Sequence, residues 1–263
     1  MEYKYIKYIS NQNVGIITLN RPNVLNSFNR PMAKETQEVL AKCRDDENVR
    51  VILITGEGRG FSAGQDLAEA IPSDGSSMPD ISDIVRESYN PIVTLIRTIE
   101  KPIVAGVNGV AAGAGANIAL ACDFVIAAEG ASVIQAFCKI GLIPDSGGTF
   151  WLPRLIGLPR ATAMMMLGEK VSAQDAFQMG MIYKVYPDNL FQDELMKFVQ
   201  HLAKQATRGL GLTKKALNQA FENDFETQLK AEEKLQQQAG QTQDYLEGVR
   251  AFQEKRKPNF HGK

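Results

Sequence analysis

Three short runs of almost wholly apolar residues constrain this chain more than any other feature: Val49–Thr55 (VRVILIT), Ile103–Val107 (IVAGV) and Asp123–Ala127 (DFVIA). A strand that is apolar on both faces must be covered on both, as strands of a parallel sheet are when they lie between layers. The segments between the runs carry helical spacing. Met32, Thr36, Val39, Leu40 and Cys43 recur along Pro31–Asp45, and Ile84, Tyr89, Ile92, Val93, Leu95 and Ile96 along Asp83–Ile99. Repeated strand-helix alternation predicts a layered α/β protein with parallel pairing. Ahead of it, the β-rich stretches Tyr3–Ile9 and Val14–Leu19, joined through Asn11-Gln12-Asn13, read as a hairpin. Past about residue 190 helical stretches dominate: Phe191–Gln205, Leu210–Glu222 and Phe225–Gln238. The expected organisation is therefore an α/β core over 1–190 and a helical segment over 191–263.

Charge excludes some functions. The 29 basic and 30 acidic side chains nearly cancel, so no global field gathers nucleic acid or an anionic membrane. The basic cluster Glu254–Pro258 and the face LKAEEKLQQQ read as solvated surface. Three cysteines, Cys43, Cys122 and Cys138, form no CxxC spacing, and no His, Asp and Glu cluster has metal-ligand spacing, so neither a disulfide framework nor a metal is expected. With no signal-peptide pattern and no long apolar run, a cytoplasmic protein is expected. His201 falls on an amphipathic helix, as a surface residue.

Two loops follow directly on buried strands: Arg59–Leu67 (RGFSAGQDL) and Gly109–Asn117 (GVAAGAGAN). Ligands of open α/β sheets bind at the carboxyl ends of strands. Small residues there let backbone approach a ligand closely, and a loop entering a helix offers unpaired amide hydrogens. Two such amides aimed at one oxygen make an oxyanion hole; tight turns and close helix packing would use the same residues. A third turn-rich stretch, Gly141–Thr149 (GLIPDSGGT), places the carboxylate of Asp145 downstream.

With Asn20-Arg21-Pro22, Asn26-Ser27, the stretch from Gly56 to Leu67 and that from Lys101-Pro102 to Asp123, this ordered set resembles the crotonase superfamily of enoyl-CoA hydratases and isomerases over nearly the whole chain. The resemblance implies a spiral of ββα units with a C-terminal helical segment, assembled as a homotrimer or a dimer of trimers. It implies an acyl-CoA substrate, with coenzyme A as part of that substrate and no further cofactor. By motif matching it gives the amides of Ala63 and Ala114 as oxyanion donors, and Asn23, Val24, Leu25, Gln65, Asp66 and Leu67 as parts of the CoA cleft. The position of Asp66 also suits capping and loop support better than proton transfer.

The chain departs from the hydratases at the two glutamates that hold their water, where it has Asn117 and Phe137, neither of them a general base. Asp145 remains as the carboxylate near the reacting carbons. A single base beside an oxyanion hole can move a proton between carbons, and Phe137, Ile140, Leu142 and Ile143 are expected to raise its pKa. The segment KIGLIPDSGGTFWLPRLIG looks most like the ring-epoxide isomerases of phenylacetate degradation. Dienoyl-CoA isomerases and 4-chlorobenzoyl-CoA dehalogenases also place an aspartate here, but the dehalogenases pair it with a mid-chain histidine that this sequence lacks. A crotonase scaffold that binds without turnover is the competing expectation. The turn-rich stretch Ile71–Asp83 reads as a lid over the acyl group.

Overall fold

A computed structural model describes residues 3–70 and 80–263. Most of the stretch read as a lid, residues 71–79, lies outside the described residues.

The hairpin forms from β1 (Ile6–Asn11) and β2 (Val14–Leu19), paired antiparallel from Ile6 opposite Leu19 to Asn11 opposite Val14. Its two-residue turn, Gln12 (φ 49°) and Asn13 (φ 63°), is left-handed at both positions, the geometry that matches strand twist. The three apolar runs become β3 (Val51–Gly56), β5 (Ile103–Val107) and β7 (Phe124–Ala128). They join β2 in parallel, and with β10 (Lys184–Tyr186) complete a six-stranded sheet of order β1-β2-β3-β5-β7-β10. Ile52, Leu53, Ile54, Ile103, Val104 and Ala105 are at most 1% exposed, as two-sided cover requires.

Each central strand is followed within a few residues by a three-residue strand of a second sheet. These are β4 (Gly60–Ser62), β6 (Val110–Ala112) and β8 (Ser132–Ile134), parallel to one another, with β9 (Lys170–Ser172) antiparallel at the edge. The chain therefore steps from one sheet to the other in each turn, as the expected mixed α/β spiral does. The short second strands carry no alternation of their own, and they are not legible in the sequence.

Helix Arg30–Asp45 starts where the Asn29 side chain accepts the Met32 amide at 2.9 Å, and it buries Met32, Thr36, Val39, Leu40 and Cys43, the residues its spacing predicts. The predicted helix at Asp83–Ile99 is longer and irregular: Ile81–Ile84, a π-helical stretch Val85–Tyr89, then Asn90–Thr98. The inserted residue of a π turn rotates the helix face, and here it brings Ile84, Val85 and Tyr89 towards one cavity.

After β10 only helices follow: Asp188–Leu202, Thr207–Gln219, Phe225–Gly240 and Gln243–Gln253, the last not anticipated. Lys214 anchors them to the core. It is 7% exposed, and its ammonium donates to Asp123 at 2.8 Å and to the Ile96 carbonyl at 2.5 Å. Asp123 also accepts the Ile103 amide at 2.8 Å and pairs with Arg97 at 3.3 Å. Lys214→Ala leaves that carboxylate short of its main partner, and a stability loss of about 2 kcal/mol is expected in urea titration. An unchanged midpoint would show that Arg97 suffices. The Glu254–Pro258 cluster is exposed as expected, with Arg256 paired to Glu247 at 2.5 Å. Beyond it the tail folds back, since the buried Asp244 carboxylate accepts the amides of His261 (2.6 Å) and Gly262 (2.7 Å). Among the described residues no helix is long and apolar enough to cross a membrane, and no His, Cys, Asp and Glu group could hold a metal.

Candidate active site

The two small-residue loops meet at the carboxyl ends of the second-sheet strands. Phe28 and Gln65 form a parallel bridge: the Phe28 amide donates to the Gly64 carbonyl at 2.7 Å, and the Asp66 amide donates to the Phe28 carbonyl at 2.8 Å. The peptide groups either side of Gln65 thus face Phe28, and the Gln65 amide faces away. Among the described residues it has no acceptor. Gly64 makes this possible. Its φ is +90°, and a Cβ there would stand 2.8 Å from the Ala112 carbonyl oxygen and 3.3 Å from the Ala114 nitrogen. The two loops are therefore in direct backbone contact.

Ala114 opens helix Ala114–Leu120. The Gly113 amide is taken by the Ile134 carbonyl at 2.9 Å and that of Asn117 by the Gly113 carbonyl at 3.1 Å. The Ala114 amide, in the first turn, has no acceptor among the described residues. The expectation for Ala63 fails. Its amide donates to the Leu25 carbonyl at 2.9 Å, so it is occupied, and the free donor of this loop belongs to Gln65. A sequence pattern of small residues cannot show which peptide a glycine has turned outward.

Ala63, Gln65, Gly113, Ala114 and Asp145 line one cavity of about 220 Å³ with Leu67, Ile84, Val85, Tyr89, Phe137, Ile140 and Leu142. A ring-sized acyl group fits such a volume, since benzene occupies an engineered cavity of about 150 Å³. The walls are apolar as expected, except that Ile143 is 80% exposed and does not line the cavity. Tyr89 is buried and was legible only as an inward-facing helix residue. Its hydroxyl donates to Gln65 Oε1, and its ring meets Phe28 edge-on at 6.1 Å. Tyr89→Phe removes the tie on Gln65 while keeping the wall, so turnover is expected to fall about tenfold, the scale of one lost hydrogen bond. Equal rates for the two proteins would limit Tyr89 to packing.

Asn117 is fully buried and both ends of its amide are used. Nδ2 donates to the Asp145 carbonyl at 2.8 Å, and Oδ1 accepts from Gln135 at 2.8 Å. The residue at this position is therefore a strut for the Asp145 turn. Phe137, 7% exposed, is cavity wall. Asp145 is half-buried. Burial pushes its carboxyl above the usual carboxylate range, opposed by hydrogen bonds from the Ser146 hydroxyl and its own backbone.

Four residues expected in the CoA cleft lie off this cavity. Asn23 and Val24 are exposed in a 3-10 turn, and Leu25, with φ 52°, holds the Ala63 amide. Asp66 supports the loop, as its position suggested: it pairs with Arg21 at 2.8 Å and accepts the Ala68 amide at 3.1 Å. His201 is exposed. Phe150 and Trp151 line no part of the cavity; they meet Phe221 edge-on at 5.9 and 5.6 Å.

The chain is similar in sequence and in fold to known proteins. A 1,2-epoxyphenylacetyl-CoA isomerase of Escherichia coli is 47% identical over 250 residues, 95% of each chain, and a trans-2-decenoyl-[acyl-carrier-protein] isomerase of Streptococcus mutans is 37% identical over the full length of both. The crystal structure of an enoyl-CoA hydratase from Bacillus anthracis superposes with a TM-score of 0.90 at 34% identity, covering 99% of this chain and all of that one. The sequence model described as Enoyl-CoA hydratase/isomerase matches residues 10–263, and by fold, by loops and by that match the chain belongs to the enoyl-CoA hydratase/isomerase family.

Proposed function

We propose that this protein is an acyl-CoA isomerase. The observation that carries the reading is that Asp145 is the only carboxylate among the described residues lining the cavity, while of the two positions where the hydratases carry glutamates Phe137 is apolar wall and Asn117 is hydrogen-bonded within the fold. Addition of water to a double bond needs groups that hold and deprotonate it; moving a proton between two carbons needs one base. In this reading Asp145 removes a proton from the carbon beside the thioester carbonyl. Negative charge moves onto the carbonyl oxygen, where the Gln65 and Ala114 amides receive it, and Asp145 returns the proton to another carbon.

The apolar wall of Phe137, Tyr89, Ile84 and Leu142 suits a ring, and the similarity to the E. coli enzyme supports epoxyphenylacetyl-CoA, converted to oxepin-CoA, as substrate. Conversion of 3-enoyl-CoA to 2-enoyl-CoA needs only this proton transfer; conversion to the oxepin also breaks the C–C bond that joins the two epoxide carbons, whose electron pair reorganises into the double bonds of the seven-membered ring. The CoA moiety leaves the cavity past Leu67 and the Asn23–Leu25 turn, which the Leu25–Ala63 bond places beside the loop. Rising ultraviolet absorbance with 3-enoyl-CoA, as the double bond conjugates with the thioester, is the expected result. Rapid hydration of crotonyl-CoA, or no turnover of either isomerase substrate, would overturn the reading.

The helical segment leaves Leu217, Phe221, Phe225, Leu229, Leu246 and Phe252 between 44% and 86% exposed, apolar side chains that a neighbouring copy would bury. A homotrimer or a dimer of trimers covers them in this reading. Sedimentation at micromolar concentration is expected to show no dominant monomer, and a stable monomer would sink the assembly.

A further inference from the structure

The residue after Asp145 is conformationally unusual. Ser146 is 1% exposed and has φ +53°, the left-handed region that a Cβ makes costly. Glycine takes that conformation without cost, and the next residue, Gly147 at φ +75°, does so. What serine adds is a hydroxyl, and it donates to Asp145 Oδ1 at 2.8 Å. Among the described residues no other side chain donates to the Asp145 carboxylate. The backbone beneath is fixed independently: the Asp145 carbonyl accepts from the Gly148 amide and from Asn117 Nδ2, both at 2.8 Å.

We propose that Ser146 is a positioning residue for the base: its hydroxyl occupies Oδ1, fixes the rotation of the carboxylate, and leaves Oδ2 as the oxygen that exchanges the proton with substrate. The inference rests on reading Asp145 as the isomerising base. A donor on one carboxylate oxygen also favours the ionised form, opposing the upward push of burial. The other titratable groups lining the cavity among the described residues are Tyr89, from the π-helical stretch, and Lys139, from the turn Ala136–Ile140. Neither bonds to Asp145, since Tyr89 spends its hydroxyl on Gln65. Neither therefore replaces a lost serine hydroxyl without rearranging.

The test uses Ser146→Ala and Ser146→Gly in the full chain. Glycine suits the backbone here, so that variant folds even where alanine is strained. With 3-enoyl-CoA, the acid limb of the kcat/KM profile is expected to move to higher pH in both variants, with turnover on that limb falling about tenfold, the scale of a hydrogen bond to a charged group. A wild-type profile in the glycine variant would reduce Ser146 to a turn residue and overturn the proposal. A second measurement does not depend on the substrate. The Asp145 carboxyl carbon, labelled with carbon-13 and assigned by its absence in Asp145→Asn, is titrated by NMR in each protein. Its midpoint is expected to rise in both variants; an unmoved midpoint overturns the role of Ser146 whatever the enzyme acts on. If the midpoint moves while the wild type turns over neither isomerase substrate, the coupling of Ser146 to Asp145 stands and the isomerase reading falls.

Discussion

Asp145→Asn is expected to lower isomerase turnover by ~10² or more while acyl-CoA binding stays, because general acid-base catalysis contributes on that scale and the free amides of Gln65 and Ala114 are untouched. The substitution keeps the shape of the side chain while removing its charge and its ability to take a proton. A second signature follows from linkage. Burial raises the Asp145 carboxyl above its ordinary value, so the ionised form is disfavoured in the folded protein. A carboxyl raised in this way contributes stability below its unfolded pKa and loses it as pH rises through the folded value. At neutral pH the native aspartate is therefore a burden on stability, and the neutral asparagine relieves it. The variant is expected to melt higher than wild type at pH 7 and to lose that advantage at pH below the ordinary carboxylate range. Wild-type turnover in the variant would leave Asp145 as a turn residue with no part in proton transfer. A variant that failed to bind acyl-CoA would instead assign the carboxylate to substrate binding.

Gly64→Ala is expected to cost turnover about 10² to 10³, the usual effect of losing one oxyanion donor. The methyl group meets the Ala112 carbonyl oxygen at 2.8 Å and the Ala114 nitrogen at 3.3 Å, and backbone on both sides cannot step aside as a flexible side chain can. The positive φ adds strain of about 1–3 kcal/mol, so the loop relaxes by turning the peptide that carries the Gln65 amide. Because that amide acts on the developing charge, kcat should fall more than KM rises. Ala63→Gly is the control, since it leaves the Leu25–Ala63 backbone bond in place and should retain most of the activity. If Gly64→Ala turned over normally, the Gln65 amide would not be one of the donors.

The alternation of the central strands with helices, the two-sided burial of those strands and the inward residues of helix Arg30–Asp45 were legible because each rests on a period within a short window of sequence. The ordered loops marked the family. Tertiary structure decided the rest. Ala63 and Gln65 lie two residues apart in one loop, and only the bridge to Phe28 and the φ of Gly64 determine that the first amide is spent and the second free. The π turn that brings Tyr89 to the cavity has no period to betray it. Asn117 could be read as a missing acid, but its use as a strut depends on Gln135 and the Asp145 carbonyl, both distant in sequence. Periodicity and residue chemistry are local properties of a chain and can be read along it. The direction of a peptide group, and which oxygen of a carboxylate stays free, are set by contacts between segments far apart, and those exist only once the chain has folded.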